Sequence, residues 1–231
     1  MRVGPSNDHD RRIAEMFDRV SPRYDRSNRV LSFGTDRSWR RRAIALARLD
    51  ASESAVDVGA GTGDLTFALL RASAHGARVV AADLSKGMLE VARRRGPVLA
   101  AIANAESLPF ADASLDRVIT GFTVRNVGDL PRALREFRRV LRPGGRAVIL
   151  ELSHPRGPLI PAVYRFYFDH VAPRLAVMLG GDPAAYRYLP RSLRPFPKAD
   201  ALAELLREAG FARVRFERLT FGIAAIHVAE A

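Results

Sequence analysis

The residues best suited to chemistry lie close together in the first third of the chain. Ala55-Val56-Asp57-Val58 runs directly into Gly59-Ala60-Gly61-Thr62-Gly63, followed by Asp64 and an apolar helical segment from Leu65 to Leu70. Strand, glycine loop and helix in that order make a ligand-binding turn. Glycines let the backbone turn at positive φ and approach a ligand with no Cβ in the way, and the helix N-terminus then faces that ligand. Asp83 ends the next apolar run, 20 positions after Gly63, where a carboxylate in this architecture accepts hydrogen bonds from both hydroxyls of a ribose. Leu84 follows it and can pack on a base, as can Met88, whose plainer role is an apolar helix face. Asn104-Ala105 closes the third apolar run, where a carboxamide and a backbone amide suit the edge of an adenine.

The spacing of the glycines narrows the ligand. Dinucleotide sites use GxGxxG and leave the helix N-terminus open to pyrophosphate, whereas this loop reads GxGxG and places Asp64 at the mouth of the helix. A carboxylate there repels pyrophosphate and tolerates the sulfonium and ammonium of a methionine moiety, so electrostatics favour S-adenosylmethionine over NAD. The cofactor set expected from these residues is Asp57, Gly59, Gly61, Thr62, Gly63, Asp83, Leu84, Asn104 and Ala105. No metal site is expected.

These positions require a particular scaffold. Short β-branched runs near 54–58, 78–82, 98–103, 115–121 and 146–152 alternate with helical stretches near 64–73, 85–95 and 130–141, the rhythm of a doubly wound parallel sheet. Pro143-Gly144-Gly145 reads as the turn between the last of these helices and its strand. A helix near 200–209 and extended runs at 211–219 and 223–228 complete the chain, the last two as an antiparallel pair at the sheet edge. The expectation is a class I, Rossmann-like α/β fold with a mainly parallel seven-stranded sheet and helices on both faces. It is one domain over 1–231, with a helical segment at 1–50 and a helical lid at about 156–198. Within that lid Ile160, Val163, Tyr167, Val171 and Met178 share a stripe, interrupted by Pro161 and Pro173.

Composition bounds the partners. There is no cysteine, which removes disulfides, thiolate metal sites and cysteine nucleophiles. The longest aliphatic run, Val98 to Ala103, is far too short to span a bilayer and the N-terminus has no apolar leader, so a cytoplasmic protein is expected. The net charge of +12 favours anionic partners, either nucleic acid or an acidic membrane surface. Lys86 and Lys198 are the only lysines among 37 basic residues, so arginine serving as the habitual surface residue accounts for the charge equally well.

Taken with its flanking motifs, the chain resembles the ubiquinone and menaquinone C-methyltransferase family over nearly its full length. The specific parts are FDRVSPRYDRSNRVLSFGTDRSWRR near the N-terminus, NAESLPFADASLDRV followed by FTVRNV, the RVLRPGGRAVILELSHP block and the closing LTFGIAAIH. The resemblance implies methylation of a ring carbon of a prenylated quinol, demethylmenaquinol foremost, with a benzoquinol left open. It also implies cofactor contacts at Thr62, Asp83, Asn104 and Ala105. The chain departs from the family pattern at Ser27, Asp36 and Thr123, where methionine, histidine and glycine are usual. Gly121 replaces a serine that often contacts cofactor.

Methylation at carbon needs an oriented, electron-rich ring. Arg125 and Asn126, just past the fourth strand, are the expected stabilisers of a developing quinolate, the arginine acting through charge because it cannot readily give up a proton. Tyr24 is the expected substrate contact, and Tyr24, Asp36, His154 and His227 are the candidate bases. The lid would roof the prenyl tail, and its arginines would rest transiently on anionic lipid at the inner face of the membrane. A homodimer is compatible with this reading. A nucleic acid methyltransferase is the main rival; the lack of cysteine, of an Asn-Pro-Pro-aromatic motif and of an RNA-binding module argue against it.

Overall fold

The computed structural model describes residues 7–21, 32, 34–74, 76–171, 174, 188 and 190–231, with 163, 165, 168 and 169 described by backbone alone. Tyr24, Ser27, Pro173 and Met178 lie outside the described residues. The helices are α1 (Asp8–Val20), α2 (Thr35–Ala47), α3 (Asp64–Ala72), α4 (Lys86–Arg95), α5 (Leu130–Val140), α6 (Ile160–Phe166) and α7 (Ala199–Glu208). The strands are β1 (Ser54–Val58), β2 (Arg78–Asp83), β3 (Leu99–Ile102), β4 (Leu115–Gly121), β5 (Leu141–Leu152), β6 (Arg213–Leu219) and β7 (Ala224–Glu230).

The sheet has seven strands in the order β3-β2-β1-β4-β5-β7-β6. β3, β2, β1, β4 and β5 run parallel, and β7 is antiparallel to both β5 and β6. This is the mainly parallel, seven-stranded Rossmann-like sheet that was expected. The final antiparallel pair does not simply extend the edge, however: β7 inserts between β5 and β6 and leaves β6 outermost. Its sequence explains the insertion. Every residue of β7 from Ala224 to Val228 is nearly inaccessible, whereas the outward positions of β6 are charged. Both faces of the sheet are covered, since the consecutive residues Ala147, Val148, Ile149 and Leu150 of β5 are all fully buried and successive side chains of a strand point to opposite faces.

Helix boundaries follow local chemistry. Asp129 caps α5 by accepting from the Arg132 amide at 2.9 Å, Pro131 occupies the first turn, and Ala133, Leu134, Phe137 and Val140 form its buried stripe. Ser85 caps α4 through the Met88 amide at 3.1 Å. The Pro143-Gly144-Gly145 element differs from expectation. Instead of separating helix from strand, it is a bulge inside β5: Leu141 pairs with Leu115, the register then slips, and Arg146 pairs with Arg117. Ala231 stitches the bulge through Gly144 N–H to Ala231 O at 3.1 Å and Ala231 N–H to Gly145 O at 2.9 Å. In the expected lid, Ile160–Phe166 is helical and passes into a π turn at Tyr167–Val171.

Strand order reverses about β1, with β2 on one side and β4 on the other. In open α/β sheets the carboxyl ends of the strands at such a reversal form the ligand crevice.

Candidate functional site

A crevice of about 910 Å³, counted out to its solvent-open mouth, lies at the carboxyl ends of β1, β2 and β4. Its floor is the loop from Gly59 to Thr62. Gly59 has φ +68°, and a Cβ there would sit 2.2 Å from Thr123 Oγ1, so Thr123, where the family uses glycine, closes that side tightly. Gly61 has φ +57° with open space where a Cβ would project, which keeps the loop backbone accessible. Gly63 does not line the crevice. It caps α3 at φ +88° and is backed by Phe67.

Asp83 stands at the rim as expected. Its Oδ2 accepts from Gly61 N–H at 2.7 Å and its Oδ1 from Ser85 N–H at 2.8 Å. These two amides clamp the carboxylate and leave its remaining lone pairs facing the cleft. Asp57 is fully buried in the crevice wall. Thr66 Oγ1 donates to its Oδ2 at 2.6 Å, and its Oδ1 has no hydrogen-bond partner among the described residues. An orphaned buried acceptor is costly unless a ligand satisfies it.

Burial pushes both carboxyls up to about 6, in Asp57 against the pull of Thr66 and Arg40, in Asp83 against the amides of Ser85 and Gly61. Folding therefore favours their protonated forms. The stabilisation this gives is complete below about pH 4 and is lost as pH rises through about 6. For Asp57 it is on the order of 3 kcal/mol. A cationic ligand binds the ionised forms, so affinity for S-adenosylmethionine is expected to rise about tenfold or more between pH 5 and pH 7 and then level off. Calorimetric titration across that range checks this, and a flat profile would show that neither carboxylate senses the ligand's charge.

Asp64 corrects the electrostatic argument from sequence. Its carboxylate pairs with Arg95 at 2.7 Å, and the same guanidinium donates to Thr62 O at 2.7 Å and Thr62 Oγ1 at 3.2 Å. The helix mouth is thus close to neutral. The excess negative charge that suits a sulfonium comes instead from Asp57, Asp83 and Asp10, all on the crevice wall.

Asp10 was not among the site residues expected from the sequence, where α1 counted only as part of a helical segment over 1–50. Asp10, Ile13, Ala14 and Phe17 share one helical face, and that face walls the crevice. Their spacing was visible, with an acid at the head of an apolar stripe. Asn104, expected to read adenine with its carboxamide, spends that group on the same helix: Nδ2 donates to Asp10 Oδ2 at 2.7 Å, and Oδ1 accepts from Glu106 N–H at 2.9 Å. It fastens α1 across the opening and presents the Asp10 carboxylate beside it. Further bonds secure α1: His9 Nε2 to Asn126 O at 3.0 Å, and Ser85 Oγ and the Gly87 amide to Asp18 Oδ1 at 2.5 Å and 2.8 Å. Leu84, Met88, Ala105 and Gly121, all named from the sequence, line the crevice, with Phe122 and Arg40 beside Gly121.

The residues proposed for catalysis separate. Asn126 lies on the crevice wall, nearly buried, with Nδ2 donating to Phe122 O at 3.3 Å and Oδ1 without a hydrogen-bond partner among the described residues. Arg125 does not line the crevice. Its guanidinium is buried against Glu151 Oε1 at 2.6 Å and donates to Phe122 O at 2.7 Å, on a 3-10 turn spanning Val124–Asn126. Its charge is already balanced, so the expected quinolate contact is replaced by an internal ion pair. The candidate bases among the described residues, His227, His154 and Asp36, do not line the crevice. His227 is buried, holds Ala199 O at 2.8 Å and stacks on Phe216, with burial pushing its pKa down to about 4. His154 bonds Phe196 O at 2.9 Å. Asp36 accepts from Ser32 Oγ at 2.8 Å and faces Arg40.

Comparison with known proteins agrees with this geometry. The sequence model of the ubiE/COQ5 methyltransferase family matches residues 6–231. A demethylmenaquinone methyltransferase of Thermus thermophilus is 46% identical over 93% of this chain and 99% of its own. One from Deinococcus radiodurans is 42% identical over 99% of this chain and 96% of its own. Among solved structures, an S-adenosylmethionine-dependent methyltransferase from Thermotoga maritima, described as a possible histamine N-methyltransferase, superposes with a TM-score of 0.68 at 22% identity, over 94% of this chain and 98% of that one.

Proposed function

From the premise that this chain belongs to the ubiE/COQ5 methyltransferase family, and is therefore an S-adenosylmethionine-dependent methyltransferase, we propose that its substrate is a prenylated naphthoquinol, demethylmenaquinol, methylated at a ring carbon. The observation that carries this reading is near-full-length identity above 40% to relatives named for that reaction. The crevice fits the cofactor: Asp83 for the ribose, Gly61 for close approach, and the orphaned Asp57 Oδ1 for a cationic centre.

When bound, the cofactor supplies an electrophilic methyl group on positively charged sulfur. The chain's own residues then have separable tasks. Ile13, Phe17, Leu65 and Met88 give apolar walls that exclude water. Asn126, a crevice residue whose Oδ1 has no hydrogen-bond partner among the described residues, is suited to accept from the hydroxyl of a quinol, orienting the ring. Arg125 and Glu151 hold the turn that carries Asn126, so Arg125 is a positioning residue. Tyr24, from the family-like N-terminal motif, is assigned to the substrate on that resemblance.

Lipid access belongs to the same reading. Leu159, Phe166 and Phe221 are three of the four strongly exposed large hydrophobics among the described residues, and the exposed Arg156, whose amide bonds Phe221 O at 3.0 Å, pairs with Asp200 at 2.6 Å. An apolar fringe with arginine suits an anionic bilayer surface. No helix among the described residues is long and apolar enough to cross a membrane. Nucleic acid has no place in this reading.

The test uses labelled methyl donor with demethylmenaquinol, the matching prenylated benzoquinol, and RNA, the quinols presented in anionic vesicles. Label is expected in the naphthoquinol. Label confined to the benzoquinol would reassign the substrate within the family, and label only in RNA would overturn the reading.

A further inference from the structure

The crevice is lined by four carboxylates, Asp10, Asp57, Asp64 and Asp83, but by a single cation among the described residues, Arg40. Arginine inside a cofactor cleft whose ligand carries two positive centres calls for an explanation. Arg40 belongs to α2, outside the strand–loop–helix unit, and its side chain is only 16% exposed. Its Nε lies 3.6 Å from Asp36 Oδ2, an ion-pair distance beyond a hydrogen bond, and has no hydrogen-bond partner among the described residues. The guanidinium carbon sits 5.1 Å from the centre of the Phe122 ring. One terminal nitrogen lies 3.8 Å from the position a Cβ on Gly121 would take.

These neighbours fix where along the cleft the charge sits. Asp83, which grips the sugar, ends β2, whereas Gly121 and Phe122 lie at the end of β4, on the other side of β1. The amino-acid end of the methyl donor therefore extends towards β4, past Asp57. That end is a zwitterion. Asp57 offers an acceptor for its ammonium, and the carboxylate needs a cation in the same place, which the glycine loop does not supply.

We infer that Arg40 is the receptor for the carboxylate of the methyl donor's amino-acid end, held in position by Asp36 and by the face of Phe122. The inference rests on S-adenosylmethionine being the ligand and is independent of which quinol is methylated. A planar guanidinium bonds a carboxylate through two parallel N–H groups, more strongly than a neutral donor does. It also makes use of an arginine that Asp36, at 3.6 Å, engages only loosely.

The experiment is a ligand-and-residue cycle read by calorimetric affinity, with no turnover required. Wild-type protein and Arg40→Gln are each titrated with S-adenosylmethionine and with its decarboxylated analogue, which retains the sulfonium and the amine. Wild type is expected to prefer the intact ligand by about tenfold to hundredfold, and Arg40→Gln to lose most of that preference while binding the analogue as wild type does. If the substitution weakens both ligands equally, Arg40 merely braces α2 and the inference fails. Should Arg40→Gln not fold, the wild-type comparison decides: equal affinity for the two ligands overturns the assignment, and a marked preference supports it. Failure of wild type to bind either ligand would instead count against the cofactor reading itself.

Discussion

Replacing Glu151 by alanine is expected to cost the fold about 3–5 kcal/mol, a large fraction of the total stability of a domain this size. The carboxylate is 2% exposed and the facing Arg125 side chain 6%. It accepts not only from Arg125 at 2.6 Å but also from the Leu152 amide at 2.8 Å and the Arg125 amide at 3.3 Å. Truncation leaves a buried guanidinium with no facing carboxylate, bonded to the Phe122 carbonyl oxygen, and strands two amides. Arg125→Met should cost less, about 2–3 kcal/mol, because the same two amides still hold Glu151. Urea denaturation of both variants at pH 7 checks the ranking. If Arg125→Met instead unfolds with the wild-type midpoint and still abolishes quinol methylation, the guanidinium touches substrate and its assignment as a positioning residue is wrong.

The second large effect is on cofactor binding. S-adenosylmethionine at about 100 times its dissociation constant should stabilise the wild-type protein by about 2.7 kcal/mol. Asp83→Ala should remove that stabilisation entirely. The side chain organises the site twice over, since it clamps the Gly61 and Ser85 amides that shape the loops and presents the acceptor for the ribose. Removing it should change the apo protein much less. The carboxyl is already held up to about 6 by burial, so at pH 7 its loss relieves a desolvation cost that offsets the two lost hydrogen bonds. Thermal melts with and without S-adenosylmethionine, and with NAD as control, separate the two effects. A full ligand shift in Asp83→Ala, or a shift with NAD alone, would remove the basis for placing the cofactor in this crevice.

Much of the binding half of the site was readable along the chain because its parts are local. Asp57, the loop from Gly59 to Gly63 and Asp83 belong to consecutive elements whose geometry follows from strand, turn and helix periodicity. The strand pattern likewise determined the class of fold. The bulge inside β5 and β7's place in the sheet went beyond it: two adjacent extended runs declare that they pair, and the near-complete burial of β7 then decides which of them goes inside.

What tertiary structure alone decided concerns charges and who neutralises them. Asp64 was legible as an acid at a helix mouth, but its pairing with Arg95 depends on how α4 packs beside α3. Arg125 was legible as a cation past β4, yet Glu151 reaches it from β5, across a sheet pairing that no periodicity reports. Asp10 and Arg40 enter the crevice from helices that precede the first strand. Hydrophobic period and glycine placement are local consequences of backbone geometry and survive in one dimension. The partner of a charge is set by three-dimensional proximity, and in a sequence with this many arginines every carboxylate has several plausible cations until the chain has folded.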